Sequence, residues 1–172
     1  MTSTGLDDHV IEAAEDSHPI VTDESLTQEN HVRDDGWPFG GELSRPPDDA
    51  QEVAFKAEEL GVLRRLLSQW AASHKLGADA SEELVLAVNE LTTNSVRYGG
   101  GGGLLALWRE RDMLLCEVRD GGHIEDPLIG RTKPRPEQPS GRGIWLVHQL
   151  CDVVQIRSSP RGTTVRVHKH LR

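Results

Sequence analysis

The sequence predicts an α+β fold, a two-layer α/β sandwich in which helices cover one face of a mixed sheet. From residue 51 onward, some segments alternate apolar and charged side chains, which is typical of half-buried strands. Other segments repeat apolar side chains every three or four residues, which is typical of amphipathic helices. Along the chain they occur in the order strand, two helices, hairpin, long loop, helix and hairpin.

The first strand and the first helix follow directly from these patterns. Val53, Phe55 and Ala57 alternate with charged residues, so a strand is predicted over 52–58. The helix predicted over 59–77 has four large apolar side chains at helical spacing: Leu60, Leu63, Leu67 and Trp70.

The second helix carries the polar residues of greatest interest. Asp79 is predicted to cap its N-terminus, with Glu82 three residues later completing a capping box. One stripe of this helix is predicted to face the core: Leu84, Val88, Leu91 and Ser95. A second stripe lies beside it, at the edge of the apolar face: Glu90, Asn94 and Arg97. A carboxylate in that half-buried position is costly unless it has a role.

Two hairpins and a third helix complete the predicted fold. The hairpin over 103–122 ends at Asp120-Gly121-Gly122, and the last one combines 152–158 with 163–170. A short apolar helix begins after Gly143. The segment 123–140, which is rich in Pro, Gly and charge, is too long for an ordinary connection and is predicted to be a lid.

The charge of the chain divides it into an acidic tail and a nearly neutral domain. Residues 1–50 hold 13 acids against two Arg, whereas residues 51–172 hold 15 acids against 17 Lys and Arg. Because the first part has few large hydrophobic side chains, residues 1–48 are predicted to be disordered and 49–172 to form the folded domain. A nearly neutral domain with an acidic tail disfavours direct binding of nucleic acid.

Composition also indicates where the protein is located and whether its cysteines form disulfides. The sequence lacks the roughly 20 consecutive apolar residues of a membrane span, so no membrane association and a cytoplasmic protein are expected. Two cysteines in apolar surroundings, Cys116 and Cys151, are expected to be buried free thiols.

The five glycines at 99–103 invite comparison with a phosphate-binding loop. A Walker loop has the pattern Gly-x4-Gly-Lys-Ser/Thr and joins a strand to a helix. Here the glycines follow a helix, precede a strand and are not followed by Lys. They are therefore interpreted as a helix stop and a turn.

Four short motifs occur in order at the predicted element ends: Glu90-x3-Asn94, Asp120-x-Gly122, Gly141-x-Gly143 and Gly162-Thr163. Each motif is weak alone, but their order and placement resemble the Bergerat ATP-binding fold. That fold is shared by gyrase, heat-shock chaperone, histidine kinase and mismatch-repair ATPases. The resemblance covers residues 50–172 and implies a histidine-kinase-like ATPase domain.

Each motif also suits a part of an ATP site. The Asn94 side-chain oxygen can hold Mg²⁺, and Glu90 can act as the catalytic base. Asp120 can accept a hydrogen bond from the adenine amino group, and Gly122 lets the base approach the backbone. Gly141 and Gly143 offer backbone N–H groups to phosphates at a helix N-terminus. Thr163 can bond adenine directly or through water.

Within that fold, three stretches resemble the stand-alone bacterial anti-sigma factor serine/threonine kinases of the RsbW and SpoIIAB type: LAVNELTTNSVRYGG, CEVRDGG and SGRGIWLVHQLCDVVQIRSSPRGTTVRV. The resemblance implies a protein that uses ATP and Mg²⁺, binds a sigma factor and phosphorylates a STAS-type anti-anti-sigma partner. It also implies a possible homodimer. The alternative is a catalytically weak or inactive binding module of the same fold, and the presence of Glu90 favours catalysis.

Overall fold

The computed structural model describes residues 43–126, 129–134 and 142–171. Most of the predicted acidic tail, residues 1–42, lies outside the described residues, and the tail boundary stays a prediction. The described elements are, in chain order, β1 Gln51–Lys56, α1 Leu60–Ser73, α2 Ala78–Tyr98, β2 Gly102–Glu110, β3 Met113–Asp120, α3 Arg142–Leu150, β4 Val153–Ser159 and β5 Gly162–His170. A short 3-10 turn, Ala57–Glu59, joins β1 to α1.

The five strands form one sheet in the order β1-β2-β3-β5-β4, and every pair of neighbours is antiparallel. The predicted two-layer α+β fold is confirmed, but the sheet is antiparallel where a mixed sheet was predicted. Strands β3 and β4 do run in the same direction. Because the β4–β5 hairpin places β5 between them, no parallel pair forms.

The helices pack on one face of the sheet, where alternate strand residues form the core. Phe55, Leu105 and Val167 from the strands are buried against Leu67 and Val147 from the helices. The predicted inward stripe of α2 is confirmed, since its four members are almost fully buried: Leu84, Val88, Leu91 and Ser95. In the neighbouring stripe, Glu90 and Asn94 are half-buried and Arg97 is exposed.

The start of α2 differs from the prediction. The helix begins at Ala78 with Gly77 as its N-cap, and no side chain caps it, so the predicted capping box at Asp79 and Glu82 is wrong. Asp79 lies in the first turn, where a negative charge favours the positive end of the helix dipole. The Glu59 carboxylate, at the start of α1, accepts the backbone N–H of Lys56 at 2.6 Å.

The glycine run has two structural roles. Gly99 ends α2, while Gly100 and Gly101 turn the chain with φ angles of 95° and 94°. The last two glycines belong to β2, where the chain is already paired with β1. The interpretation as a helix stop and turn thus holds for the first three glycines only.

Both cysteines are free and buried, as predicted. Burial raises the pKa of the Cys151 thiol to about 12, and burial also holds the pKa of Cys116 well above its usual range. Both thiols therefore stay protonated and unreactive at neutral pH. Within the part of the chain that is described, no helix has the length and apolar character needed to cross a bilayer.

A buried ion pair lies on the helix-free face of the sheet. Arg166 donates from Nε and Nη2 to Glu117 Oε2 at 2.8 and 2.5 Å, and its guanidinium lies 5.0 Å from the centre of the Trp108 ring. Arg166 also donates to the backbone carbonyl of Ser44, so the peptide before β1 contacts this face. Arg119 donates to the other Glu117 oxygen at 2.8 Å.

We expect Glu117→Ala to destabilise the fold by about 3–5 kcal/mol, because it leaves the Arg166 guanidinium, 5% exposed, without its carboxylate. The matched control is Glu52→Ala, which removes an exposed partner of Arg119 and is expected to cost about 0–1 kcal/mol. Urea denaturation measures both values. Equal losses of unfolding free energy in the two variants would show that the buried pair of Glu117 and Arg166 stabilises the fold no more than an exposed pair does.

Candidate functional site

Helix α2 presents Glu90 and Asn94 one turn apart on a half-buried edge, and α3 begins against them. A Cβ atom built on Gly143 would lie 2.8 Å from Glu90 Oε2 and 3.3 Å from Asn94 Nδ2. Glu90, Asn94 and Gly143, three of the residues predicted for the site, therefore lie close together. A side chain at position 143 would displace the ends of the Glu90 and Asn94 side chains, so glycine lets both keep their positions.

The orientation of α3 gives this corner its electrostatic character. Gly143 is the second residue of α3, so the positive end of the helix dipole lies beside Glu90 and Asn94. A helix N-terminus of this kind favours anions such as phosphate. Gly141, predicted to bind phosphate with Gly143, lies outside the described residues.

The end of β3 forms a second corner of the site. Asp120 Oδ1 accepts the backbone N–H of Gly122 at 2.8 Å, and Oδ2 accepts the Ser95 hydroxyl at 2.6 Å. The backbone N–H of Gly121 donates to the Gly99 carbonyl at 3.0 Å. Strand β3 and helix α2 are therefore joined at their ends by both side-chain and backbone hydrogen bonds.

The neighbouring strand brings Thr163 to the same corner, directly opposite Asp120 in the β3–β5 register. The buried Thr163 hydroxyl donates to the Gly122 carbonyl at 2.9 Å and lies 2.7 Å from the Ser158 hydroxyl. With its proton used in this way, Thr163 offers only lone pairs to a ligand. Together with the Asp120 carboxylate, it forms a corner rich in acceptors, suited to a ligand with an N–H group.

The two corners lie along one helix. Glu90, Asn94 and Gly143 form the first, which we call the phosphate corner; Asp120, Gly122 and Thr163 form the second, which we call the base corner. Asn94 belongs to the phosphate corner, and Ser95, the next residue in α2, contacts the base corner through Asp120. Of the seven predicted site residues, six therefore fall into these two groups, and Gly141 is not described.

A metal ion here would depend on few protein ligands. Among the described residues, no three His, Cys, Asp or Glu side chains lie close enough to hold a metal. Mg²⁺ typically keeps several waters and takes its other ligands from phosphates and one or two protein oxygens. The Asn94 side-chain oxygen in the phosphate corner fits that mode of binding.

Sequence reasoning missed two hydroxyl residues of the site, Ser95 and Ser158. Ser95 was included in the apolar stripe of α2, although a buried hydroxyl in such a stripe is itself a signal that it has a partner across the interface. Ser158 sits in a strand with no motif around it, and only the β4–β5 register reveals that it reaches Thr163.

Part of the predicted lid contacts α3. In the described stretch 129–134, Gly130 packs against Ile144 so closely that a Cβ atom would lie 2.5 Å from its side chain. Lys133 Nζ lies 5.9 Å from the centre of the Trp145 ring. On the same helix, burial lowers the pKa of His148, and the nearby charge of Arg131 lowers it further.

Comparisons with known proteins bear on the family and the fold of the chain. A family model described as a histidine kinase-like ATPase domain matches residues 53–169. Over 106 residues, the chain is 32% identical to a protein named anti-sigma F factor from Bacillus subtilis, a match that covers 54% of this chain and 71% of that protein. Over 130 residues, it is 27% identical to a protein named serine-protein kinase RsbW from Bacillus licheniformis, covering 67% of this chain and 81% of that protein.

One solved structure supports the fold in particular. It contains the RsbU and RsbW domains of Rv1364c from Mycobacterium tuberculosis and matches with a TM-score of 0.55 at 18% identity. The match covers 74% of this chain and 34% of that longer one.

The packing of Gly99 against Asp120 generates a stability prediction. A Cβ atom on Gly99 would lie 2.5 Å from Asp120 Cγ and 2.7 Å from the Ser95 carbonyl, so Gly99→Ala is expected to cost about 1–3 kcal/mol. The control is Gly61→Ala in α1, where the nearest atom is 3.9 Å away and better helix propensity should add up to about 1 kcal/mol. Chemical denaturation compares the two, and a Gly99→Ala variant as stable as the unsubstituted protein would contradict the close packing of α2 on β3.

Proposed function

The chain belongs to the histidine kinase-like ATPase family, within the group of anti-sigma factor serine/threonine kinases, and from this premise we propose that it is an ATP- and Mg²⁺-dependent protein kinase. Its proposed substrate is a serine or threonine of a STAS-type anti-anti-sigma protein. Its second proposed partner is a sigma factor, which it holds until the anti-anti-sigma protein competes for it. We also propose that it works in the cytoplasm, without direct contact to nucleic acid or membrane, and as a homodimer.

The observation that carries the proposal is the position of Glu90. Its carboxylate lies beside the first turn of α3 and one helical turn from Asn94. This position puts a carboxylate beside the end of α3 that favours phosphate. A kinase needs one there to receive the proton of the incoming hydroxyl.

The base corner supports adenine as the nucleotide base. The Asp120 carboxylate uses one acceptor site on each oxygen for Ser95 and Gly122, which leaves further lone pairs for an exocyclic amino group. Thr163 presents an acceptor beside it, for direct or water-mediated contact. Gly122 keeps the backbone next to this corner free of a side chain.

The proposed reaction is transfer of the γ-phosphoryl group. The partner's hydroxyl oxygen forms a bond to the γ-phosphorus, the bond from that phosphorus to the bridging oxygen of ADP breaks, and the hydroxyl proton passes to Glu90. Asn94 and the first turn of α3 hold the phosphate end in place, and bound Mg²⁺ supplies positive charge that offsets the charge on the phosphate oxygens. Phosphoryl transfer depends mainly on such positioning and charge stabilisation.

The adenine contact is tested by Asp120→Ala. Loss of a hydrogen bond to a carboxylate is expected to weaken ATP binding by about 1–3 kcal/mol, measured by titration calorimetry. Asp112→Ala, which removes an exposed acid at the far end of the same hairpin, serves as the control and should leave the affinity unchanged. An unchanged ATP affinity in the Asp120→Ala variant would show that Asp120 does not contact the nucleotide.

Glu90→Gln separates catalysis from binding. The amide keeps the size of the side chain and removes its basic oxygen, so ATP binding should persist while phosphorylation of the partner falls by roughly 10²–10⁴-fold. Asn94→Ala is expected to act differently, by weakening Mg²⁺-dependent ATP binding itself. The assay follows labelled γ-phosphate into an anti-anti-sigma protein from the same organism.

The control for that assay is Glu82→Gln, an exposed acid on the same helix, which should leave transfer unchanged. Equal transfer by the Glu90→Gln variant would show that Glu90 is not the base. If the unsubstituted protein binds a sigma factor but phosphorylates no such partner, the protein is a nucleotide-sensitive binding module instead.

A further inference from the structure

Ser95 is the side chain through which the helix of the phosphate corner contacts the base corner. It directly follows Asn94 in α2, is 1% exposed, and donates from its hydroxyl to Asp120 Oδ2 at 2.6 Å. Such a buried position favours a hydroxyl only if the hydroxyl has a partner, because an unpaired one is costly to bury.

The hydroxyl has a choice of two acceptors and one hydrogen to give. The Leu91 carbonyl, one turn back in α2, lies 3.1 Å from Ser95 Oγ. Bonding to that carbonyl alone would be the ordinary arrangement for a serine inside a helix. The shorter contact is to the charged carboxylate, and hydrogen bonds to charged acceptors are the stronger ones.

We propose that Ser95 is a specificity-determining residue that orients Asp120 toward the 6-amino group of adenine. This inference rests on the proposed function and deepens it. The Asp120 carboxylate is held from two sides, by Ser95 on Oδ2 and by the Gly122 N–H on Oδ1. Removing either donor lets the carboxylate rotate, so that its free lone pairs no longer point to one place.

The restricted carboxylate selects among purines by simple complementarity. The 6-amino group of adenine donates a hydrogen bond, which a fixed carboxylate accepts. The 6-oxo group of guanine is an acceptor and is repelled by the same oxygens, while a purine without a 6-substituent donates no hydrogen bond and leaves the carboxylate without a partner on the base. Rejection of a ligand that leaves a buried polar group unpaired is the strongest form of such discrimination.

Thr92 supplies the matched control. It is on the same helix, is 2% exposed, and its hydroxyl donates to a helix carbonyl, that of Asn89, at 3.2 Å. It lies on the side of α2 that faces α1, beside Val88 and opposite Leu63 of α1. Thr92→Val therefore removes a buried helix hydroxyl of the same kind without touching Asp120.

The experiment measures the dissociation constants of the full chain for ATP and for purine riboside triphosphate, which lacks the 6-amino group. The preference for ATP is the ratio of the constant for purine riboside triphosphate to the constant for ATP, so weaker ATP binding lowers the ratio. Ser95→Ala is expected to weaken ATP binding roughly tenfold and to change binding of purine riboside triphosphate by no more than about twofold. In an Asp120→Ala background, Ser95→Ala should no longer change the ratio of the two constants. Thr92→Val should leave the ratio as it is in the unsubstituted protein.

Three results would overturn the inference. The ratio could be unchanged in Ser95→Ala, it could fall equally in Thr92→Val, or Ser95→Ala could lower the ratio even when Asp120 is already alanine. If Ser95→Ala does not fold, Ser95→Cys, with a weaker donor, takes its place and must also lower the ratio. If the unsubstituted protein binds no ATP at all, the proposed function fails together with this inference. If the unsubstituted protein binds ATP and the ratio is unchanged in Ser95→Ala, only the role of Ser95 is wrong.

Discussion

The contact between the end of α2 and the end of β3 is the constraint on which the site depends. Gly99 lies so close to Asp120 that no side chain fits between them, and the Ser95 hydroxyl and the Gly121 N–H cross the same interface. A helix and a strand joined in this way cannot slide past one another without breaking these hydrogen bonds. The side chains that α2 carries therefore have fixed positions relative to those at the end of β3.

Helix α3 is fixed at its other end by a buried cation. Lys169 of β5 donates to the Leu150 carbonyl, at the C-terminus of α3, and to the Glu83 carboxylate on α2, both at 2.6 Å. A positive charge there satisfies a carbonyl that the helix leaves unpaired and is favoured by the helix dipole. With its C-terminus anchored, α3 directs its N-terminus at Glu90 and Asn94, and Gly143 provides the room.

Helical periodicity predicted where the polar stripe of α2 lies better than the strand patterns predicted the sheet. The stripe that holds Glu90 and Asn94 depends only on helical spacing, which is local, and the structure confirms where both lie. The antiparallel sheet depends on β5 entering between β3 and β4, a long-range arrangement that no local pattern specifies. Helix ends are equally hard to predict, since Gly77 caps α2 although the nearby Asp79 has the better intrinsic tendency to cap.

The hydroxyl contacts could not be predicted for a related reason. A serine in an apolar stripe is compatible with bonding to its own helix or to a neighbouring strand, and the choice for Ser95 depends on the distance to Asp120. The same holds for Ser158, whose contact with Thr163 requires the register of β4 on β5. The residues of the candidate site can thus be chosen from motifs, while the hydroxyl groups bonded to them are found only in three dimensions.

The parts of the site differ in how freely they can adjust. Glu90 and Ser95 are five residues apart in a continuous helix, which separates their positions by about 7.5 Å along its axis. That spacing, and with it the spacing between the phosphate corner and the base corner, is rigid. Facing Glu90 and Asn94 is the start of α3, and the stretch 129–134 packs along this helix through Gly130 and Lys133. Because Gly130 contacts Ile144, one residue after Gly143, this stretch packs directly on the first turn of α3 and so lies beside the phosphate corner.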